Sequence, residues 1–308
     1  MPRRVQPMAA ISQIVTIKAA RLSPRVLGQG MDWIRPHAAA QGRSIDTADV
    51  IALLREVYAD GIGTREEAEE LISFDQSLGH TADGWVEFFA TTIADHVVRR
   101  REPSGIVSDE NATWLIRSLS SSRRLATEGG FGAIMRMLEI SSEVSPLLAA
   151  YTIGQMRFAV IAGSGPAIGA RKHFSRTIDS ADVVLLERIL QLSGGASVRS
   201  VSRLEAEALF DLHDAVAGAE NEARFVDLFF AAIANHLLAS VGLPSSSRLV
   251  APAPGGTVML AAEESAWLSS RIMRDGRPTV AEYSLLRAFG GESSGIDFLQ
   301  RRSLDYAA

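Results

Sequence analysis

Cysteine is absent from all 308 residues. Disulfide and thiolate chemistry are therefore excluded, and the chain is suited to a reducing cytoplasm. Long apolar runs are also lacking. Residues 147–162 are interrupted by Gln155 and Arg157, residues 225–241 by Asp227, Asn235 and His236, and the short run over 9–15 by Ser12 and Gln13. No membrane span and no signal peptide are expected from such stretches. Several catalytic signatures are missing too: there is no His-Glu-x-x-His pair, no Gly-x-Ser-x-Gly elbow and no phosphate-binding Walker loop. No catalytic residue is singled out, no cofactor is expected, and the protein is read as non-enzymatic.

What is present is a chain 47% hydrophobic and 22% charged, ample for a packed core, with a net charge of −5 that is unevenly placed. Residues 1–43 hold seven basic side chains (Arg3, Arg4, Lys18, Arg21, Arg25, Arg35, Arg43) against Asp32 alone, a charge of +6 that leaves −11 for the remainder. An acidic body repels phosphate backbones, so no nucleic-acid partner is expected; the basic stretch reads as a tail.

The informative feature is an internal repeat. Ser44-Ile45-Asp46-Thr47-Ala48-Asp49-Val50 returns as Thr177-Ile178-Asp179-Ser180-Ala181-Asp182-Val183, an offset of 133. Further on, Ala68 and Glu69 match Ala206 and Glu207, and Trp85, Glu87, Phe89, Ile93 and His96 match Phe225, Asp227, Phe229, Ile233 and His236 at an offset of 140. A second unit follows each copy, with Glu110, Trp114 and Leu115 answering to Glu263, Trp267 and Leu268, and Thr127 and Phe131 to Thr279 and Tyr283. The growth of the offset places the additional residues in loops, where insertion is cheap.

Apolar residues at Val50, Leu53, Leu54 and Val57, and at Trp85, Phe89, Ile93 and Val97, follow helical spacing, and no sustained alternation of period two occurs. The expected fold is an all-α, internally duplicated bundle of about ten helices, built from helix-turn-helix units in the order A-B-A′-B′. The expected organisation is a basic tail over 1–43, a first half over 44–165, a linker over 166–176, a second half over 177–300 and a C-terminal tail over 301–308. A binding cleft is expected between the halves, shaped by residues 163–169 and by the loops expected to carry His80 and His213.

Two stretches invite a chemical reading. Asp60-Gly61-Ile62-Gly63-Thr64-Arg65-Glu66-Glu67 and the segment from Asp275-Gly276 through Thr279 to Glu282 share the spacing Asp-Gly-x-x-Thr-x-x-Glu, which resembles the second half of an EF-hand loop. The first and third ligand positions are Glu56 and Tyr58 in one copy and Arg271 and Met273 in the other, so only part of a calcium shell is present. Capping accounts for the same residues: glycine ends one helix, threonine caps the next, and glutamate at the third helical position completes a capping box, as Ser202 and Glu205 also do. Asp60, Glu67, Asp275, Glu282, His96 and His236 are the candidate metal ligands, and a carbonyl-bonded structural role is the competing reading of the two histidines. His80 and His213 have acidic neighbours in Asp75, Asp83, Asp211 and Asp214. The second stretch is residues 158–169, whose Gly163, Gly165 and Gly169 imitate a strand entering a dinucleotide-binding turn; Ile168 occupies the place of the third glycine. A nucleotide- or flavin-binding enzyme using that segment is the remaining enzymatic alternative.

The Ala59-Asp60-Gly61-Ile62 turn followed by a Glu-rich helix resembles the turn of TerB-like helical domains, a family associated with tellurite resistance. That resemblance implies a divalent-metal-binding or stress-response role. The longer pattern of Asp-Gly turns, Glu67-Ala68-Glu69-Glu70-Leu71 and the paired Phe88-Phe89 and Phe229-Phe230 is similar to helical proteins common in alphaproteobacteria, and implies a bacterial cytoplasmic protein without implying an activity. The leading expectation is an interaction or scaffold protein with a protein partner.

Overall fold

The computed structural model describes residues 44–82, 84–170, 176–193, 200–243 and 259–289. Both tails, Asp83, residues 171–175 of the linker and residues 194–199, 244–258 and 290–300 of the second half lie outside the described residues. Eleven α-helices dominate what is described: α1 Thr47–Asp60, α2 Arg65–Ser77, α3 Trp85–Asp95 continued by a π-helical turn His96–Arg100, α4 Asp109–Leu119, α5 Glu128–Ile140, α6 Pro146–Ala162, α7 Ser180–Ser193, α8 Arg203–Ala215, α9 Ala223–Ser240, α10 Ala262–Ile272 and α11 Val280–Phe289. Extended structure among the described residues amounts to two-residue bridges, so the fold is all-α.

The repeated heptad marks helix starts. Asp46 accepts from the Asp49 amide at 2.9 Å while Asp49 accepts from the Asp46 amide at 3.1 Å, and Asp179 and Asp182 exchange the same pair at 3.0 and 2.9 Å. Each is a capping box with aspartate in the role usually held by glutamate, and it satisfies two amides that a helix start leaves unpaired. The expected boxes at Thr64/Glu67 and Ser202/Glu205 are both formed. Gly61 and Gly276 stand in the turns before α2 and α11 with φ of +62° and +69°, backbone that glycine adopts without strain.

The sequence predicts two helices per unit, and the structure provides a third in the first three units; in the fourth, α10 and α11 are the helices among the described residues. Ser44–Ile45 pairs in parallel with His80–Thr81, tying the start of α1 to the approach to α3; Ile106–Val107 pairs in parallel with Glu143–Val144, tying α4 to α6. In the second half, the Glu222 amide donates to the Ile178 carbonyl at 2.9 Å, which ties α7 to α9. The apolar residues Leu147, Leu148, Tyr151, Ile153, Met156, Phe158 and Val160, helical-looking in the sequence, form helix α6, which carries no single apolar stripe. It lies against α4, α7 and α8, with Leu148, Ile153, Met156 and Val160 all fully buried, so its environment demands apolar residues on several faces.

The closest helix pairings are α3 with α5 and α6 with α8. The second joins the two halves, and one continuous apolar core runs through both. Among the described residues, α6 and α8 pack directly against each other across the surface where a cleft is expected. Helix α9 is long and apolar enough to cross a membrane, and half of its apolar window is buried inside the protein.

Replacing Thr64 or Ser202 with alanine is expected to cost about 1 kcal/mol each, the usual loss for an N-cap. Gly61→Ala should cost more, since a Cβ there would lie 2.1 Å from the Arg100 guanidinium in a backbone conformation alanine disfavours. Urea denaturation of the three variants measures the ranking.

Candidate functional site

The two halves use the same polar brace at matched positions. In the first, the Trp114 indole N–H donates to Glu69 Oε1 at 2.7 Å, Arg65 lies 5.1 Å over the indole ring, and His96 meets the ring edge-on at 6.2 Å. In the second, Trp267 donates to Glu207 Oε1, Arg203 lies 4.0 Å over the ring, and His236 meets it edge-on at 5.3 Å. Arg65 pairs with Glu110 at 3.3 Å and Arg203 with Glu264 at 2.7 Å, each carboxylate in the first turn of the helix that carries the tryptophan. An indole withdrawn from water needs an acceptor, and a cation over its face adds attraction; Glu207 is itself paired with Arg271 at 3.1 Å. Beside the first brace, Arg65, Asp109, Glu110, Thr113, Trp114 and Arg117 line an open depression of about 440 Å³.

Both histidines belong to these braces. Nδ1 of His96 lies 3.1 Å from the Ile62 carbonyl, and Nδ1 of His236 lies 2.9 Å from the Val201 carbonyl. A carbonyl only accepts, so Nδ1 carries the proton in each ring. Burial is the main reason that both pKa values fall below 6.5; the carbonyl bonds oppose that fall, while Arg100 and Arg101 add to it at His96 and Arg203 at His236. Of the two competing readings, the geometry matches the carbonyl-bonded structural one.

The remaining sequence-selected ligands divide. Glu67 Oε2 accepts from the Gly63 and Thr64 amides, and Asp275 Oδ1 from the Arg277 amide, so both carboxylates bond to backbone groups of the turns they stand in. The side chain of Asp60 lies outside the described residues. The segment read as a strand entering a dinucleotide turn is helical: residues 158–162 are the end of α6, Gly163 caps it with φ of +74°, and Ser164–Gly165 and Gly169–Ala170 form a short antiparallel hairpin. Its apolar run reflects helix burial, and the strand-turn-helix that binds a pyrophosphate is not formed there.

Glu282 has a different setting. It lies 3% exposed in the first turn of α11, where Oε2 accepts from the Thr279 amide and hydroxyl at 2.7 and 2.9 Å. Its Oε1 faces His213 Nδ1 at 4.0 Å, and Asp214 Oδ1 stands 4.0 Å from the same nitrogen. His213 belongs to the last turn of α8 rather than to a loop, and its ring stacks on Phe229 at 4.1 Å. This grouping joins residues 69 positions apart, beyond the reach of any local motif. Next to it, Asp211 bonds to Arg271 and Arg274 at 2.7 Å each; burial alone would raise its pKa, but the two guanidinium groups hold it below the usual carboxylate value.

Set against protein-family models, curated proteins and solved structures, the chain matches none of them. The class its own geometry defines is an all-α protein in which two Trp-Glu-Arg-His groups are built alike.

The lowered histidine pKa values fix a direction of pH dependence. The unfolded chain takes up protons near pH 6.5 while the folded one resists, so the stability conferred by neutral His96 and His236 is full above about pH 6.5 and is lost as pH falls through their folded values. The slope approaches about 1.4 kcal/mol per pH unit for each histidine. Urea midpoints at pH 7.5, 6.5 and 5.5 should fall less steeply for a His96→Gln/His236→Gln protein than for the unaltered chain.

Proposed function

We propose that this is a non-enzymatic helical interaction protein that binds a protein partner through its outer helix faces. The observation that carries the reading is the exposure of large apolar side chains at matched positions: Ile51 on α1 is 43% exposed and Val184, its counterpart 133 residues on, is 54% exposed. Single surface hydrophobics are ordinary. Retaining one at the same place in both halves, where a polar residue would serve folding equally well, supports a use for the apolar surface. The polar residues that recur between the halves meanwhile serve caps and braces. A cytoplasmic setting belongs to the same reading, consistent with a chain free of cysteine.

A photoreactive side chain placed at position 51 or 184 and activated in the host cell should give discrete adducts of the same mass from both positions, and none from exposed Arg99. Ile51→Asp together with Val184→Asp should change stability by no more than about 0.5 kcal/mol per site while abolishing partner recovery. Adducts no different from those at Arg99 would refute the reading.

A further inference from the structure

The braces repeat between the halves, but the polar interior beyond them does not, and the departure converges on one point. In the first half, Asp75 is buried and closed by donors: the Trp85 indole N–H reaches Oδ1 at 2.7 Å and the Thr127 hydroxyl reaches Oδ2. His213 stands at the matched position, 138 residues on, the same offset that relates Arg65 to Arg203 and Glu69 to Glu207. Phe225 replaces the indole donor, and Glu282 stands where the first half has Gly130. A site satisfied by donors has been exchanged for one composed of acceptors.

Thr279 has one hydroxyl hydrogen, which it gives to Glu282 Oε2 at 2.9 Å. Its oxygen then accepts from His213 Nε2, 3.4 Å away, so Nε2 carries the ring proton and Nδ1 presents a lone pair. That nitrogen is buried, in a side chain 7% exposed, and has no hydrogen-bond partner. Facing it are Asp214 Oδ1 and Glu282 Oε1, and the three atoms lie within 4.8 Å of one another. Among the described residues, three acceptors converge with no donor between them. A buried, unpartnered nitrogen facing two carboxylate oxygens is a donor set that a bound cation satisfies.

We propose that His213, Asp214 and Glu282 form a divalent metal site of the zinc class, with His213 binding through Nδ1 and each carboxylate through one oxygen. The ring plane is held by Phe229 and by Thr279, and Glu282 is held by its capping bonds, so two of the three ligands are oriented before any ion arrives. Asp214, 24% exposed, is the ligand on the solvent side, where water completes the shell and the ion enters. Its other oxygen is 3.9 Å from Arg274, which is bonded to Asp211 and leaves Oδ1 available. Zinc bonds of about 2.0–2.2 Å place neighbouring ligand atoms roughly 3.3 Å apart, so binding draws the three groups inward by about 1 Å. One imidazole with two carboxylates suits zinc, whereas calcium takes 6–8 oxygens. The carbonyl end of α8 adds negative potential at the same point.

The test is calorimetric titration of the full, chelator-treated chain with zinc chloride at pH 7.5, beside magnesium and calcium chlorides. The expected result is one equivalent of zinc bound, at least tenfold weaker binding in Asp214→Asn and in His213→Gln, and unchanged binding in Asp275→Asn. Asp214 is partly exposed, so its variant should keep the circular dichroism spectrum of the parent and report on the site even if His213→Gln fails to fold. X-ray absorption of the zinc-loaded protein should show a nitrogen and oxygen shell with a single imidazole. Absence of stoichiometric zinc binding, binding unaffected in a folded Asp214→Asn protein, a shell with two or more imidazoles, or tighter binding of calcium than of zinc would each overturn the proposal.

Discussion

An indole N–H drawn against a helical core calls for an acceptor, and in this protein the buried Trp114 and the half-buried Trp267 each find a glutamate carboxylate from a neighbouring helix. Charge-assisted bonds of this kind contribute about 1.5–3 kcal/mol, and leaving either group unpaired costs comparably. The constraint propagates. A carboxylate drawn beneath a tryptophan calls for a nearby cation, which Arg65 and Arg203 bring over the ring from the first turn of α2 and α8, and the same helix starts must be capped by Thr64 and Ser202 for those arginines to be aimed. His96 and His236 close the remaining edge of the indole and tie it, through the Ile62 and Val201 carbonyls, to the turn before each capped helix. Caps, turn, histidine and tryptophan thus form one connected device.

Within the braces each indole N–H, each histidine Nδ1 and each accepting carboxylate is bonded, although Nε2 of His96 and of His236 has no hydrogen-bond partner, and chemistry is to be sought where the halves part company. Asp75 shows what occupancy means: burial pushes its pKa up, and the donors Thr127 and Trp85 hold it back. His213 at the matched position has neither a carboxylate's need for donors nor an indole beside it, and it faces carboxylates instead. The proposed interaction surface at Ile51 and Val184 and the inferred metal site at His213 are separate features; among the described residues the first recurs at matched positions and the second does not.

The sequence carries the part of this that is local. Caps are written in four consecutive residues, so Thr64 with Glu67 and Ser202 with Glu205 can be read directly, and the recurrence of the heptad from Ser44 signals a preserved helix start even before its reciprocal aspartates are seen. Helical spacing reveals α3 because Trp85, Phe89 and Ile93 face one core. The apolar run over residues 147–160 also looks helical, but because α6 is buried on several faces it defines no single stripe, and the end of α6 imitates a strand. Pairings across helices leave no local trace: Glu69 with Trp114 and His213 with Glu282 become visible only once α2 lies on α4 and α8 meets α11. For the same reason the candidate ligands chosen by spacing, Asp60 with Glu67 and Asp275 with Glu282, mark turns. Of the six, Glu282 alone stands in the inferred metal site, beside a histidine that no spacing rule pairs with it.

The central claim is that the tryptophan-carboxylate brace holds both halves in the same way. Double-mutant cycles pairing Trp114→Phe with Glu69→Gln, and Trp267→Phe with Glu207→Gln, measure it by chemical denaturation. The account predicts coupling of about 1–3 kcal/mol in each half and additivity between the halves. Coupling indistinguishable from zero at either brace would contradict it.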